Sequence, residues 1–186
     1  MIIYGGTGNG YSAKVTKTNR LNTSARTASR LYYASVDDGR AFTWTGISAD
    51  VAAALGGMYL TNTSQVRQLH ITKMYLYADV PTQFKIWCPA TYVAPDGTSV
   101  VGVNLNRTSA NVAEATCTVN ETNNAFAAAQ VICTVRGNEL TSDQFGQWVD
   151  FEGALVLGYH DAVEVELVAD TAAFEITIFG YFDDND

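Results

Sequence analysis

The sequence predicts an all-β sandwich or barrel with an extended arm at its N-terminus. Short runs rich in β-branched and aromatic residues recur from residue 58 onward, about 8–12 residues apart with turn residues between them, which is the spacing of antiparallel sandwiches. No helical pattern of about 10–15 residues alternates with these runs, which argues against a parallel α/β sheet. The first 36 residues hold five basic side chains and no acidic one, whereas all 19 carboxylates share the remainder with six basic groups. A basic segment poor in apolar runs cannot bury enough surface to fold alone, so it reads as an arm attached to an acidic body.

Residues 4–22 are rich in glycine and threonine, with Gly5, Gly6, Gly8 and Gly10 in close order, and read as extended chain. One or two short strands fit 26–44. Over 48–56, Ser48 as N-cap, Asp50 in the first turn and Gly56 as the stop fit a short helix. A loop crossing from arm to body fits equally. The boundary is drawn so that 1–46 is the arm, with short strands, and 47–186 the body.

Strands are expected at 58–60, at 69–77 before Asp79-Val80-Pro81, and at 83–88 before Pro89. Pro95-Asp96-Gly97 is a turn, because proline presets φ and glycine accepts the left-handed position. Further strands fit 112–119, 130–135 and 148–157. The alanine-rich stretches 52–54 and 126–129 each fit one helical turn. In 163–167, alternation places Val163, Val165 and Leu167 on one face and leaves Glu164 and Glu166 in water. The last strand, 174–182, is apolar on both faces towards its end. It is therefore central in a sandwich or covered by a second subunit.

Composition narrows the function classes. The chain has 186 residues and a formal net charge of −8, so its body repels nucleic acid and anionic lipid, leaving the arm as the place for a polyanion. No segment approaches the roughly 20 apolar residues of a membrane span. The start, MIIYGGTGNG, lacks the positive flank of a secretory signal. Cys88, Cys117 and Cys133 are sparse, odd in number and set among β-forming residues, which suggests buried thiols rather than a disulfide framework or zinc site.

Candidate chemistry is thin. Gly5, Gly10 and Ser12 match the spacing of a phosphate-binding loop, but Tyr11 stands where the lysine belongs. His70 lies inside a strand, and His160 beside Asp161 in a turn. A Ser-His-Asp site would need one of them in a cleft. Glu164 and Glu166 share a face, as a glycosidase pair would, yet also fit a plain amphipathic strand. Asp183, Asp184 and Asp186 read as a solvated acidic tail, without the glycine-punctuated loop of a calcium site. Tyr32, Tyr33, Tyr75, Tyr77 and Tyr92 would stack on sugar rings if exposed. No catalytic, cofactor or metal residues are assigned, and no enzymatic activity or cofactor is expected.

Three stretches carry a family likeness: Gly6-Thr-Gly-Asn-Gly-Tyr-Ser-Ala-Lys-Val with Thr18-Asn-Arg-Leu21; Val103-Asn-Leu-Asn-Arg-Thr-Ser-Ala-Asn-Val-Ala-Glu-Ala-Thr116; and Phe151-Glu-Gly-Ala-Leu-Val-Leu-Gly158 with Ile176-Thr-Ile-Phe-Gly-Tyr-Phe-Asp183. In these the chain resembles small jelly-roll structural proteins of tailed bacteriophage virions, of the head-decoration or head-fibre kind. The resemblance implies an antiparallel jelly-roll sandwich, a homotrimer, and attachment to the virion through the N-terminal segment. The major capsid protein or other virion proteins would be the partners, with no nucleic acid and no membrane. The location implied is the capsid exterior of a particle assembled in the host bacterial cytoplasm. On this expectation Lys14, Lys17, Arg20, Arg26 and Arg30 contact the capsid, and Phe179, Tyr181 and Phe182 lie near a subunit contact. The alternative expectation is a tail, neck or fibre component that binds a carbohydrate or receptor.

Overall fold

The computed structural model describes residues 29–48, 56–79, 82–90, 92–121, 130–136, 146–168 and 173–184. Among the described residues one helix, α1 (Arg30–Val36), precedes eleven strands: β1 (Ala41–Ser48), β2 (Gly56–Asn62), β3 (Arg67–Ala78), β4 (Gln83–Cys88), β5 (Thr98–Val100), β6 (Val103–Asn104), β7 (Ala115–Glu121), β8 (Gln130–Arg136), β9 (Gln147–Leu157), β10 (Ala162–Leu167) and β11 (Phe174–Asp184). They form a five-stranded sheet in the order β6-β1-β11-β3-β9 and a six-stranded sheet in the order β5-β7-β2-β10-β4-β8. Every described pairing is antiparallel.

Set aside β5, β6 and β7, and the order becomes β1-β11-β3-β9 facing β2-β10-β4-β8. This is the eight-stranded, two-Greek-key arrangement of a jelly roll. The segment between β4 and β8 adds β7 beside β2, β5 beside β7 and the short β6 beside β1.

Period-2 alternation puts one face of each sheet into a shared core. Phe42 and Trp44 of β1, Ile71, Met74 and Leu76 of β3, and Ile176 and Ile178 of β11 meet Met58, Leu60, Phe84, Ile86, Val163 and Val165 from the opposite sheet. Full burial of each large apolar side chain stabilises by roughly 1.5–3 kcal/mol. Gly57 lies where a side chain would fall 2.3 Å from Leu167, so only hydrogen fits between the sheets at that point.

The strand at Ala41–Ser48, placed largely in the arm by its sequence, is an inner strand of the body. It pairs along its length with β11 because Phe42 and Trp44 alternate with Thr43 and Thr45. Before it comes a helix where short strands were expected. Ser29 caps α1 by accepting from Tyr32 N at 3.2 Å, and Leu31, Ala34 and Ala41 enclose Tyr181 beneath it. The helix ends before Gly39, whose φ of 61° suits glycine, and Asn104 Nδ2 donates to the Gly39 carbonyl at 2.8 Å. The helical readings of 48–56, 52–54 and 126–129 fall wholly or mostly outside the described residues.

Candidate functional site

On the outer face of the six-stranded sheet the structure corrects the sequence reading most sharply. All six residues of β10 are buried, and Glu164 and Glu166, expected in water, are 0% and 8% exposed. β10 is central, flanked by β2 and β4, and Glu164 lies in a cross-strand row between Tyr59 and Trp87. Residues 92–97 are pinned over this face by three bonds. Tyr59 donates its hydroxyl to Val93 O at 3.1 Å, and the Glu121 carboxylate accepts from Asp96 N at 2.8 Å and Gly97 N at 3.0 Å.

Three glutamates of this sheet, Glu121, Glu164 and Glu166, differ in state. Glu121 is held by the two amides, and Glu166 accepts from Trp87 Nε1 at 2.7 Å with Lys85 Nζ at 3.6 Å. Neither carboxyl oxygen of Glu164 finds a hydrogen-bond partner among the described residues. Burial, reinforced by the Glu121 and Glu166 charges, pushes its pKa from an ordinary 4.5 up to about 8. At neutral pH it is therefore a neutral carboxylic acid. Burial also pushes the Tyr59 phenol up to about 12. No group of three His, Cys, Asp or Glu among the described residues is arranged to hold a metal ion.

The outer face of the five-stranded sheet is aromatic. Trp148 on edge strand β9 is 58% exposed and packs at 5.1 Å from Tyr75 and 6.0 Å from Phe179. Lys73 Nζ stands 4.9 Å from the Trp148 ring centre and 5.1 Å from that of Phe179. Beside them, between α1 and β9, runs a groove of about 400 Å³ lined by Arg30, Thr72, Lys73, Asp150, Glu152 and Tyr181. A second aromatic group sits elsewhere, where the His160 ring stacks on Tyr159 at 3.8 Å and on Tyr92 at 4.4 Å.

Of the basic arm residues, Arg30 is described, and Lys14, Lys17, Arg20 and Arg26 lie outside the described residues. Arg30 forms an ion pair with Asp183. Asp184 accepts from Arg40 at 3.0 Å and from Arg67 at 3.1 Å, and Arg67 also pairs with Glu114. Thus Asp183 and Asp184 belong to the end of β11 and hold ion pairs, rather than forming a solvated tail; Asp186 lies outside the described residues. The two arginines keep the Asp184 carboxyl below its ordinary range. Arg40, Arg67 and Glu114 also line a cleft of about 300 Å³ floored by Phe42 and Phe182.

The three aromatics assigned to a subunit contact separate. Phe182 is in the core of its own chain, and Tyr181 is covered by α1 and stacked on His70 at 4.9 Å. Phe179 alone of the three points out, on the face of Trp148. Neither histidine meets a serine and carboxylate in the described contacts: His70 Nδ1 bonds to Gly153 O at 3.1 Å, and Asp161 accepts from Gly158 N beside the stacked His160. The three cysteines are free, and burial pushes the thiols of Cys88 and Cys117 up. No helix among the described residues is long and apolar enough to cross a membrane.

Sequence reasoning missed Trp148, Lys73, Asp150 and Tyr59. The signal for Trp148 and Asp150 was present as a Trp-x-Asp-x-Glu run, but that Lys73 of β3 would lie against it was not. No protein-family model matches this chain, and neither a curated protein nor a solved structure matches it.

Proposed function

We propose that this chain is a non-enzymatic structural protein of a bacteriophage virion, a homotrimeric capsid decoration (cement) module attached through its basic N-terminal arm. The reading is supported by where the arm joins the sandwich. Arg30, the last of the five basic residues in the first 36, is tied to Asp183 at the end of central strand β11, so the basic segment enters the acidic jelly roll beside a carboxylate. Lys14, Lys17, Arg20 and Arg26 would lie on the major capsid protein on the particle exterior, with the body facing solvent. Shallow contacts repeated by symmetry then bridge capsomers, because linked weak contacts gain avidity.

The test is a full-length variant carrying Lys14→Gln, Lys17→Gln, Arg20→Gln and Arg26→Gln. It should melt like the parent and load onto purified shells at least tenfold less well. Wild-type occupancy would overturn the reading. Light scattering of the parent should give the mass of three chains; a single-chain mass withdraws the homotrimer.

A second reading, a glycan-binding module of a tail, neck or fibre, is favoured by a specific observation. Trp148 is 58% and Tyr92 46% exposed, and large aromatics left in solvent beside polar groups suit sugar rings.

A further inference from the structure

We infer that the groove between α1 and β9, together with Trp148 standing beside it as a stacking platform, binds a neutral pyranose unit of a glycan. The inference rests on the glycan-binding reading and adds to it a place and a ligand class. On β9, Val149 and Phe151 pack on the core while Trp148, Asp150 and Glu152 point outward, so the indole and two carboxylates line one strand face. Trp148 and Asp150, two residues apart in the regular part of the strand, are about 6.6 Å apart. Hydroxyls of a ring stacked on the indole are within reach of Asp150.

The groove has the chemistry that such a ring requires. The apolar C–H face of a pyranose packs on the electron-rich face of an indole. Its hydroxyls both donate and accept, which suits a wall offering carboxylate acceptors, Asp150 and Glu152, beside an ammonium donor, Lys73. Both signs of charge line the groove, Lys73 and the Asp183-paired Arg30 on one side and Asp150 and Glu152 on the other. An anionic ligand would meet the two carboxylates and a cationic ligand would meet Lys73, whereas an uncharged polyol meets no repulsion. A polynucleotide is disfavoured by the net charge of −8. The volume of about 400 Å³ falls in the range of small-ligand pockets.

The walls are held in advance. Asp150 accepts from Glu152 N at 2.8 Å, and Glu152 and Gly153 adopt φ of 53° and 83° in an irregular turn of the strand. The His70 ring bonds to Gly153 O and lies flat on Tyr181, the floor of the groove, at an interplanar angle of 3°. Groups already fixed lose little freedom on binding.

The experiment is biolayer interferometry of the full-length chain against immobilised neutral gluco-, manno-, galacto- and N-acetylglucosamine oligosaccharides. At least one series should bind saturably. Trp148→Ala should weaken it at least tenfold and Asp150→Asn about threefold or more, with melting unchanged, while Tyr92→Ala stays within twofold. Saturable binding that survives both groove variants, or is lost only in Tyr92→Ala, overturns this site and leaves the glycan-binding reading standing. No saturable binding to any series overturns both. A preference for sialylated or phosphorylated glycans overturns the neutral class. A drop in light-scattering mass for Trp148→Ala makes this face a subunit contact and overturns the inference as well.

Discussion

Replacing Glu164 with glutamine removes a group that must stay protonated to remain where it is. Its folded pKa of about 8 stands above an ordinary 4.5, so between those values the folded chain holds a proton that the unfolded chain releases. The contribution to stability is fully present below about pH 4.5 and is lost as pH rises through 8. In that window the slope is about −1.4 kcal/mol per pH unit. Glutamine at the same position has no such slope. The stability difference, variant minus parent, should therefore rise from its value at pH 4.5 by about 3 kcal/mol at pH 7, and level off above pH 8 at about 4 kcal/mol over that value. Urea denaturation of both proteins from pH 4.5 to 9 reads it directly, because the other carboxylates cancel in the difference. A difference independent of pH would refute the reasoning. Glu164 would then titrate as an open carboxylate, and residues 92–97 would not seal the outer face of β10.

Other outcomes follow from the same geometry. Phe182→Ala should destabilise by about 3–5 kcal/mol, and the loss should not vary with protein concentration, since Phe182 fills the core of its own chain; a concentration-dependent loss would place it at a subunit contact. Tyr59→Phe, which deletes the hydroxyl bond to Val93 O, should cost about 1 kcal/mol and remove the tyrosine that titrates at about 12 in an absorbance titration. Arg67→Ala, which removes the pair to Glu114 and leaves Asp184 to Arg40 alone, should destabilise by about 1 kcal/mol at low salt and less at high salt, checked by denaturation at two ionic strengths.

Legibility in the sequence followed a physical divide. The strands at 83–88 and 163–167 were readable almost to the residue because alternation and proline punctuation are local. The helix at Arg30–Val36 was not. Its cap, Ser29, is an ordinary signal, but the segment Arg-Leu-Tyr-Tyr-Ala-Ser-Val has no wide apolar stripe, and its packing partner Tyr181 is distant in sequence. Tyr181 and Phe182 were correctly seen as unusual on a strand apolar on both faces. What covers the outer face at Tyr181 is α1 of the same chain.

Glu164 marks where local pattern stops. Alternation separates Val163, Val165 and Leu167 from Glu164 and Glu166, and the structure keeps them on opposite faces. Whether the second face meets water depends on side chains from other strands, Tyr59 and Trp87 on either side of Glu164, and on residues 92–97, which are anchored by Tyr59 and Glu121. The same holds for Trp148, Lys73 and Asp150, gathered from β3 and β9. By itself the sequence determined an antiparallel β body, most of its longer strands and the separation of basic arm residues from acidic ones, because periodicity, turn chemistry and charge are properties of neighbouring residues. Only the tertiary structure decided which faces are sealed, which carboxyl stays protonated and which aromatics stand in solvent, because those depend on strands far apart in the chain meeting across a sheet.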